Sequence, residues 1–466
     1  MDEPVLAVDN IQGNIIPGFN KPYQAFLFLK IRHVPDCKRW LDTMRHQVTP
    51  ARDILRNAGA PVWINIAFSY NGIKRLRGVA TNFLDTSFKL GLAAQSKHLG
   101  DPIDPKSAGH PRNWKVGGPG TEADILLLIA GDARGEDEFK HKVQPIEGDF
   151  RGVSVLFRQP GARLPDGREH FGFRGSVSQP GLRGRLANGG PLTPGGKPED
   201  GGLGEPNQDL LWPGEFVFGY PRQNPESTTD QGEEAREEPY WTKHGSFLVF
   251  RRLRQDVYQF HRFIHDTATE LRIDNLGLVA AMLVGRWPDG APLMRANDPR
   301  GTTCPFASHV RKTNPCDDEF VVRGRLLNGE GLKRSTTQTH RLLRRGIPYG
   351  PRSQSTFENP RDDGEDRGLL FLAYQTSIER QFEWVTWNCN DPDFKERGAG
   401  YDLIIGQNNR PGEDRRRSFA ITWQGADKAL RSAVLSTKAE WVVPTGGGYF
   451  FAPSLEALQK LATGEL

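Results

Sequence analysis

The sequence predicts an α+β fold made of two tandem ferredoxin-like domains, antiparallel sheets with helices packed on them. Three observations carry that expectation. Strand and helix patterns alternate through residues 1–160 and again through residues 244–466, and residues 161–243 between them are dominated by Gly, Pro, Asn and charged side chains. With 466 residues, the chain is long enough for each unit to bury its own core.

The elements follow in order. Ala25–Ile31 and Trp63–Tyr70 read as strands from their aromatic and β-branched content. Between them, Cys37–Leu55 has helical spacing, with Trp40, Leu41, Met44 and Val48 on one side. Ala123–Ala130 is a continuous apolar run suited to a buried strand, and Gly152–Phe157 is a further strand. Gly189-Gly190-Pro191 and Gly201-Gly202-Leu203-Gly204 mark a functional or disordered loop, with Glu233–Glu238 as a solvated tip. Gly245–Arg251 alternates as a strand, and a helix covers Asp256–Leu271. His340–Leu343, Leu369–Tyr374 and Glu440–Val443 are strands, and Ile378–Trp387 is helical.

Composition narrows the function classes. A net charge of +4 is small for this length, and Arg415-Arg416-Arg417 directly follows Glu413-Asp414, so a nucleic-acid surface is not expected. Cys37, Cys304, Cys316 and Cys389 form no C-x-x-C pair, which argues for reduced thiols rather than a disulfide frame or zinc knuckle. Met1-Asp2-Glu3-Pro4 lacks a basic and apolar leader and no apolar run spans a bilayer, so a cytoplasmic protein without a membrane partner is expected. No G-x-G-x-x-G, G-x-S-x-G or H-E-x-x-H occurs, leaving nucleotide-binding and hydrolase readings without their chemistry. His261 and His265 lie one turn apart on a helix; without a third ligand at useful spacing they read as helix-surface histidines.

One stretch is more specific. His170-Phe171-Gly172-Phe173-Arg174-Gly175-Ser176-Val177-Ser178-Gln179-Pro180 resembles the distal haem loop of the dye-decolorizing peroxidases, whose signature is G-x-x-D-G followed by Ile-Ser-Gln-Pro. Gly172 and Ser176 occupy the two glycine frames, and Gly175 stands where the family has its Asp. Further motifs are similar to that family in the same order: Asp9–Ile15, Gly285–Gly290, Cys304–Pro315, Arg344–Gly350 and Gly446–Ser454.

The resemblance implies haem b, held mainly by the C-terminal half. His309, in His-Val-Arg-Lys-Thr-Asn-Pro, is the axial ligand it implies, because neutral imidazole binds iron without filling the opposite position. A lone His is ordinarily a buried polar contact; here the motif reverses that reading, and His340, which lacks it, is structural or peripheral. Asp402 resembles the acid that accepts the ligand's other N–H, its alternative being a turn residue. Arg311 and Asn314 are candidates for the haem propionates, though Arg311 could equally pair with a surface acid.

Arg344 aligns with the family's distal arginine, whose fixed charge stabilises the departing peroxide oxygen. Arg345 is the register alternative, expected to face solvent or a propionate. The family's acid is missing from this loop. Gly175 cannot move the proton from one peroxide oxygen to the other, and Glu169 and His170 lie on the wrong side of a tight turn. Gly368–Leu372 is similar to the strand that walls the distal cavity, with core packing an equal explanation. Trp384, Trp387, Trp423 and Trp441 are candidate radical relays that core packing also explains.

The implied activity is oxidation of phenolic or dye-like aromatic reductants by hydrogen peroxide, weakened or redirected at Gly175, and compatible with a homo-oligomer. Two other readings stay open: a different haem enzyme that seats an organic substrate in the enlarged distal space, and a non-catalytic haem-binding or sensing protein.

Overall fold

The computed structural model describes residues 3–57, 59–175, 177, 179–193, 208–237, 239–293, 304–314, 334–394, 398–410, 414–425 and 427–466. The N-terminal unit supplies β1 (Tyr23–Ile31), β2 (Val62–Phe68), β3 (Ile125–Gly131) and β4 (Val153–Ala162). The middle segment adds only short pairs, β5 (Gly181–Leu182) with β6 (Leu210–Leu211) and β7 (Pro221–Gln223) with β8 (Gln231–Glu234). The C-terminal unit supplies β9 (Ser246–Gln255), β10 (Leu343–Arg344), β11 (Ile347–Tyr349), β12 (Gly368–Gln375), the hairpin β13 (Arg417–Gln424) and β14 (Leu430–Thr437), and β15 (Val442–Ala452).

The fold is α+β, as the sequence predicts, and the strands of the two units merge into one nine-stranded sheet. Its order is β10-β12-β9-β15-β2-β3-β1-β4, with β11 also on β12. The join is narrow, a β15–β2 pairing at Phe451 and Phe68. The sheet also curls until β4 meets the opposite edge. Gln159 on β4 accepts from Arg252 Nε on β9 at 2.6 Å, and Gly161 lies so close to Ile347 and Leu370 that a Cβ would collide with them. Side chains, not a ladder, close this barrel.

Period-two alternation sorts the core. Phe26, Phe28, Leu248, Phe250, Leu370, Leu372 and Phe450 fill the barrel interior. Helices Val34–Met44 and Leu455–Thr463 cover the outer face of the first unit through Trp40, Leu41, Leu458 and Leu461. A third cluster joins helices Val257–Leu271 and Leu276–Val284 to the β13–β14 hairpin, and takes in Phe171, Phe173, Cys304 and Leu403. That cluster is the floor of the site described below. Among the described residues, no helix is long and apolar enough to cross a membrane.

Some boundaries differ from the sequence reading for local reasons. The Cys37–Leu55 pattern is two helices, Val34–Met44 and Ala51–Leu55, because Pro50 is extended (ψ 157°) and biases Thr49 away from helix. Tyr70 opens a helix instead of ending β2, since Ser69 caps it by accepting from Gly72 N at 3.1 Å. The strand expected from His340 begins only at Leu343; His340 N instead closes a turn onto Thr337 O. Nor is Glu237 a solvated tip. It docks on the amides of Leu84 and Asp85, and burial pushes its carboxyl up to about 7 despite those two hydrogen bonds. Ser176, Cys316 and the Gly201–Gly204 run lie outside the described residues.

Candidate active site

The proximal half is built from two segments far apart in sequence. Ser308 is extended and His309 opens the short helix His309–Thr313. Its Nδ1 lies 2.7 Å from Oδ2 of Asp402, 93 residues away. Asp402 is fully buried, and its second oxygen accepts from the amides of Ile404 (2.7 Å) and Ile405 (3.2 Å). Burial alone would raise this carboxyl; the charge and hydrogen bond of His309, with the two amides, outweigh it and hold the pKa below its ordinary value. An ionised Asp402 is acceptor-only, so Nδ1 carries the proton of this pair and Nε2 is the ring nitrogen directed away from it. His309 is 28% exposed, and Nε2 makes no hydrogen bond among the described residues.

That donor set fits a haem iron: an imidazole oriented through Nδ1, an Nε2 without a hydrogen bond among the described residues, and an anion fixed behind the ring. Nearby, Asn314 Oδ1 is buried without a hydrogen-bond partner among the described residues. Arg311 is buried, donates to the Cys304 carbonyl and lies 4.3 Å over the Phe306 ring.

The distal half joins the Gly175 loop to β10. Gln179 reads the backbone of Arg344 in both directions: its Oε1 accepts from Arg344 N at 3.2 Å and its Nε2 donates to Arg344 O at 3.0 Å. The Arg344 guanidinium then donates to Val177 O at 3.0 Å. Burial, aided by the charges of Arg341 and Arg286, lowers Arg344 to about 10, so it stays cationic at neutral pH. Arg345 faces neither solvent nor a propionate. Its guanidinium is sunk among the carbonyls of Asn14 (3.2 Å), Ile15 (2.9 Å) and Arg344 (3.1 Å), and ties the N-terminal segment to the sheet.

Gly175 is exposed, with its amide on Gly167 O at 3.2 Å. A Cβ built there meets nothing nearer than that same carbonyl at 3.8 Å, and the backbone is outside the left-handed region. The position therefore admits a side chain. On β12, Leu370 and Leu372 turn into the barrel core, leaving Leu369 and Phe371 half-buried on the other face.

Glu169, expected on the wrong side of a tight turn to serve the peroxide, is engaged by that turn. Its carboxylate folds back into the turn, accepting from Phe173 N (2.9 Å), Phe171 N (2.9 Å) and Gln255 Nε2 (2.5 Å). Burial raises its pKa; the hydrogen bonds and the influence of His309 only partly offset that. The signal in the sequence was the spacing, a carboxylate two and four residues before the amides of a tight turn.

Histidines anchor the rest of the loop. His170 Nε2 is 2.9 Å from Tyr349 O, and burial lowers the ring to about 4. His261 is buried, not on the helix surface. It bridges Ser355 Oγ (2.9 Å) and Phe171 O (3.2 Å), whereas His265 is exposed beside Asp266. His340 stacks on Trp384 at 3.8 Å and 7° and bonds the Arg380 carbonyl. Trp423 and Trp441 are buried in the third cluster, and Trp387 packs edge-on against His98.

Comparison with known proteins agrees with this geometry. Residues 10–157 match the model of the DyP dimeric alpha+beta barrel domain. The dye-decolorizing peroxidase msp1 of Mycetinis scorodonius is 30% identical, over 98% of this chain and 88% of that protein. An ancestral D-type dye-decolorizing peroxidase superposes with a TM-score of 0.75 at 29% identity, over 98% of this chain and 99% of that one. A dye-decolorizing peroxidase in complex with 2,6-dimethoxyphenol superposes with a TM-score of 0.74 at 26% identity, over 98% and 100%. Relatedness at this level along nearly the whole chain means that it belongs to the dye-decolorizing peroxidase family and is a haem peroxidase of that type.

Proposed function

We propose that this chain is a haem b peroxidase that uses hydrogen peroxide to oxidise phenolic or dye-like aromatics, with a distal side slowed by Gly175. The His309–Asp402 pair carries the reading, since a buried anion behind an imidazole with an open Nε2 has little purpose without an electrophile in front. The complex of a relative with 2,6-dimethoxyphenol supports the substrate class. When bound, haem supplies the iron at which peroxide is reduced. The balance is one peroxide and two phenols giving two waters and two phenoxyl radicals.

His309 would hold the iron, with Asp402 keeping its Nδ1 proton in place. Asn314 and Arg311, close to that ligand in sequence, would serve the propionates. Arg344 offers fixed positive charge to the departing peroxide oxygen, where such charge is worth most. Proton transfer between the two peroxide oxygens has no side chain at Gly175 to carry it, and Glu169 is occupied by three donors. A positioned acid–base contributes ~10²–10⁴ in rate, and that is the factor assigned to the loss.

The test is reconstitution with haem b, then oxidation of 2,6-dimethoxyphenol with and without peroxide. Slow, peroxide-dependent turnover supports the reading. Failure to bind haem, or binding with no turnover at any peroxide concentration, rejects it. The open space at Gly175 favours a second reading, in which an organic substrate sits against the haem. Saturable Soret shifts with small aromatics, without peroxide turnover, would select it. Cys37, Cys304 and Cys389 are buried thiols outside any disulfide, which supports a cytoplasmic setting; fractionation of the native host tests it.

A further inference from the structure

The inner face of β9 continues past Leu248 and Phe250 to Arg252 and Arg254, at one mouth of the barrel. Arg252 is fully committed. It donates to Gln159 (2.6 Å), Thr445 Oγ1 (2.7 Å) and Asp366 (2.7 Å), and lies 4.1 Å over the Tyr349 ring. Asp366 is committed too, since its other oxygen accepts from Tyr349 at 3.3 Å. These contacts make a rigid wall, and beyond it opens a cavity of about 360 Å³ lined also by Arg254, Lys115 and Glu365. That volume is within the range of small-molecule sites.

Arg254 is half-buried, yet neither it nor Lys115 makes a side-chain hydrogen bond or ion pair among the described residues. A guanidinium withdrawn from water without an anion is costly, and the neighbouring Asp366, which could have neutralised it, is taken by Arg252. Glu365 is exposed and pairs with neither cation. Two uncommitted cations on one preformed wall match a ligand that brings its own negative oxygens. The planar fork of Arg254 suits two of them, and Lys115 adds a point charge.

We propose that this barrel mouth binds a small molecule through a phosphate or carboxylate group held by Arg254 and Lys115. The site is separate from the haem chemistry. The next residue, Gln255, projects from the opposite face of β9 to hold Glu169 in the distal loop, so the strand stands between the two sites.

The experiment is calorimetric titration of the haem-loaded protein at low ionic strength with inorganic phosphate and, separately, with succinate. Sodium chloride of matched ionic strength is the control. Saturable one-site binding of at least one of the two anions is expected, and whichever binds identifies the preferred group. Arg254→Gln should weaken it by roughly tenfold to a hundredfold, the worth of a charge-assisted contact, and Lys115→Gln by less. The Soret band and peroxide rate should not change in either variant. Lys115 is exposed, so its variant keeps the test usable if Arg254→Gln fails to fold. No saturable heat with either anion, equal heat from chloride, or undiminished binding in a folded variant would overturn the proposal.

Discussion

The two sides of the site are built by opposite means. On the proximal side, two side chains 93 residues apart do the work, and the backbone serves them through the amides of Ile404 and Ile405. On the distal side, side chains serve the backbone: Glu169, Gln179, His170 and His261 each use at least one polar atom to hold a main-chain group. The described residues of the Gly175 loop are therefore held by contacts that do not involve position 175, so under the proposed reading a missing acid there would leave these contacts in place.

Four variants sharpen or break this contrast, beginning with the largest effect. His309→Ala should abolish haem retention, whereas His340→Ala, whose ring stacks on Trp384, should leave the Soret band intact. Absorbance after gel filtration decides between them, and the reverse result would undo the proximal assignment. Arg344→Leu should keep haem but slow the reaction with peroxide by ~10²–10³, measured under pseudo-first-order conditions. Glu169→Ala, leaving the amides of Phe171 and Phe173 unpaired, should cost about 1–3 kcal/mol by denaturant unfolding and speed hydrogen exchange in the loop. If Glu169 were instead a hidden acid–base, the variant would lose rate with no change in exchange.

The smallest effect is one of pH. Burial lowers His170 and His340 to about 4, below an unfolded value of about 6.5. A depressed folded pKa means that protonation favours the unfolded chain. The contribution is complete above about 6.5 and falls away as pH drops towards 4. Thermal unfolding of wild type and His340→Gln across that window checks it; parallel curves would mean that His340 does not contribute.

Much of this was legible in the sequence. The apolar run Ile125–Gly131 is the buried strand its composition suggests, and the family motifs are what proposed His309, Arg344 and Gly175 as site residues. What was not legible depends on direction. Helical spacing ran through Cys37–Leu55, but Pro50 breaks it. Adjacent arginines look alike in sequence, yet β10 sends Arg344 to the distal loop and Arg345 into the carbonyls of Asn14 and Ile15. The partners of Glu169 were not legible because a carboxylate near a turn can face out or fold back, and only its hydrogen bonds decide.

The central proposal, a His309–Asp402 pair holding the iron opposite a loop with Gly175 and Ser176 at the positions of the family's Asp and Gly, is tested most directly by rapid mixing of haem-loaded protein with hydrogen peroxide. Wild type is compared with the double variant Gly175→Asp, Ser176→Gly, which the open space at Gly175 can accept. The account predicts a slow change in the Soret band for wild type and an acceleration of up to ~10²–10⁴ in the variant. A wild-type rate that the variant cannot better would contradict it, and would mean that another group already moves the proton.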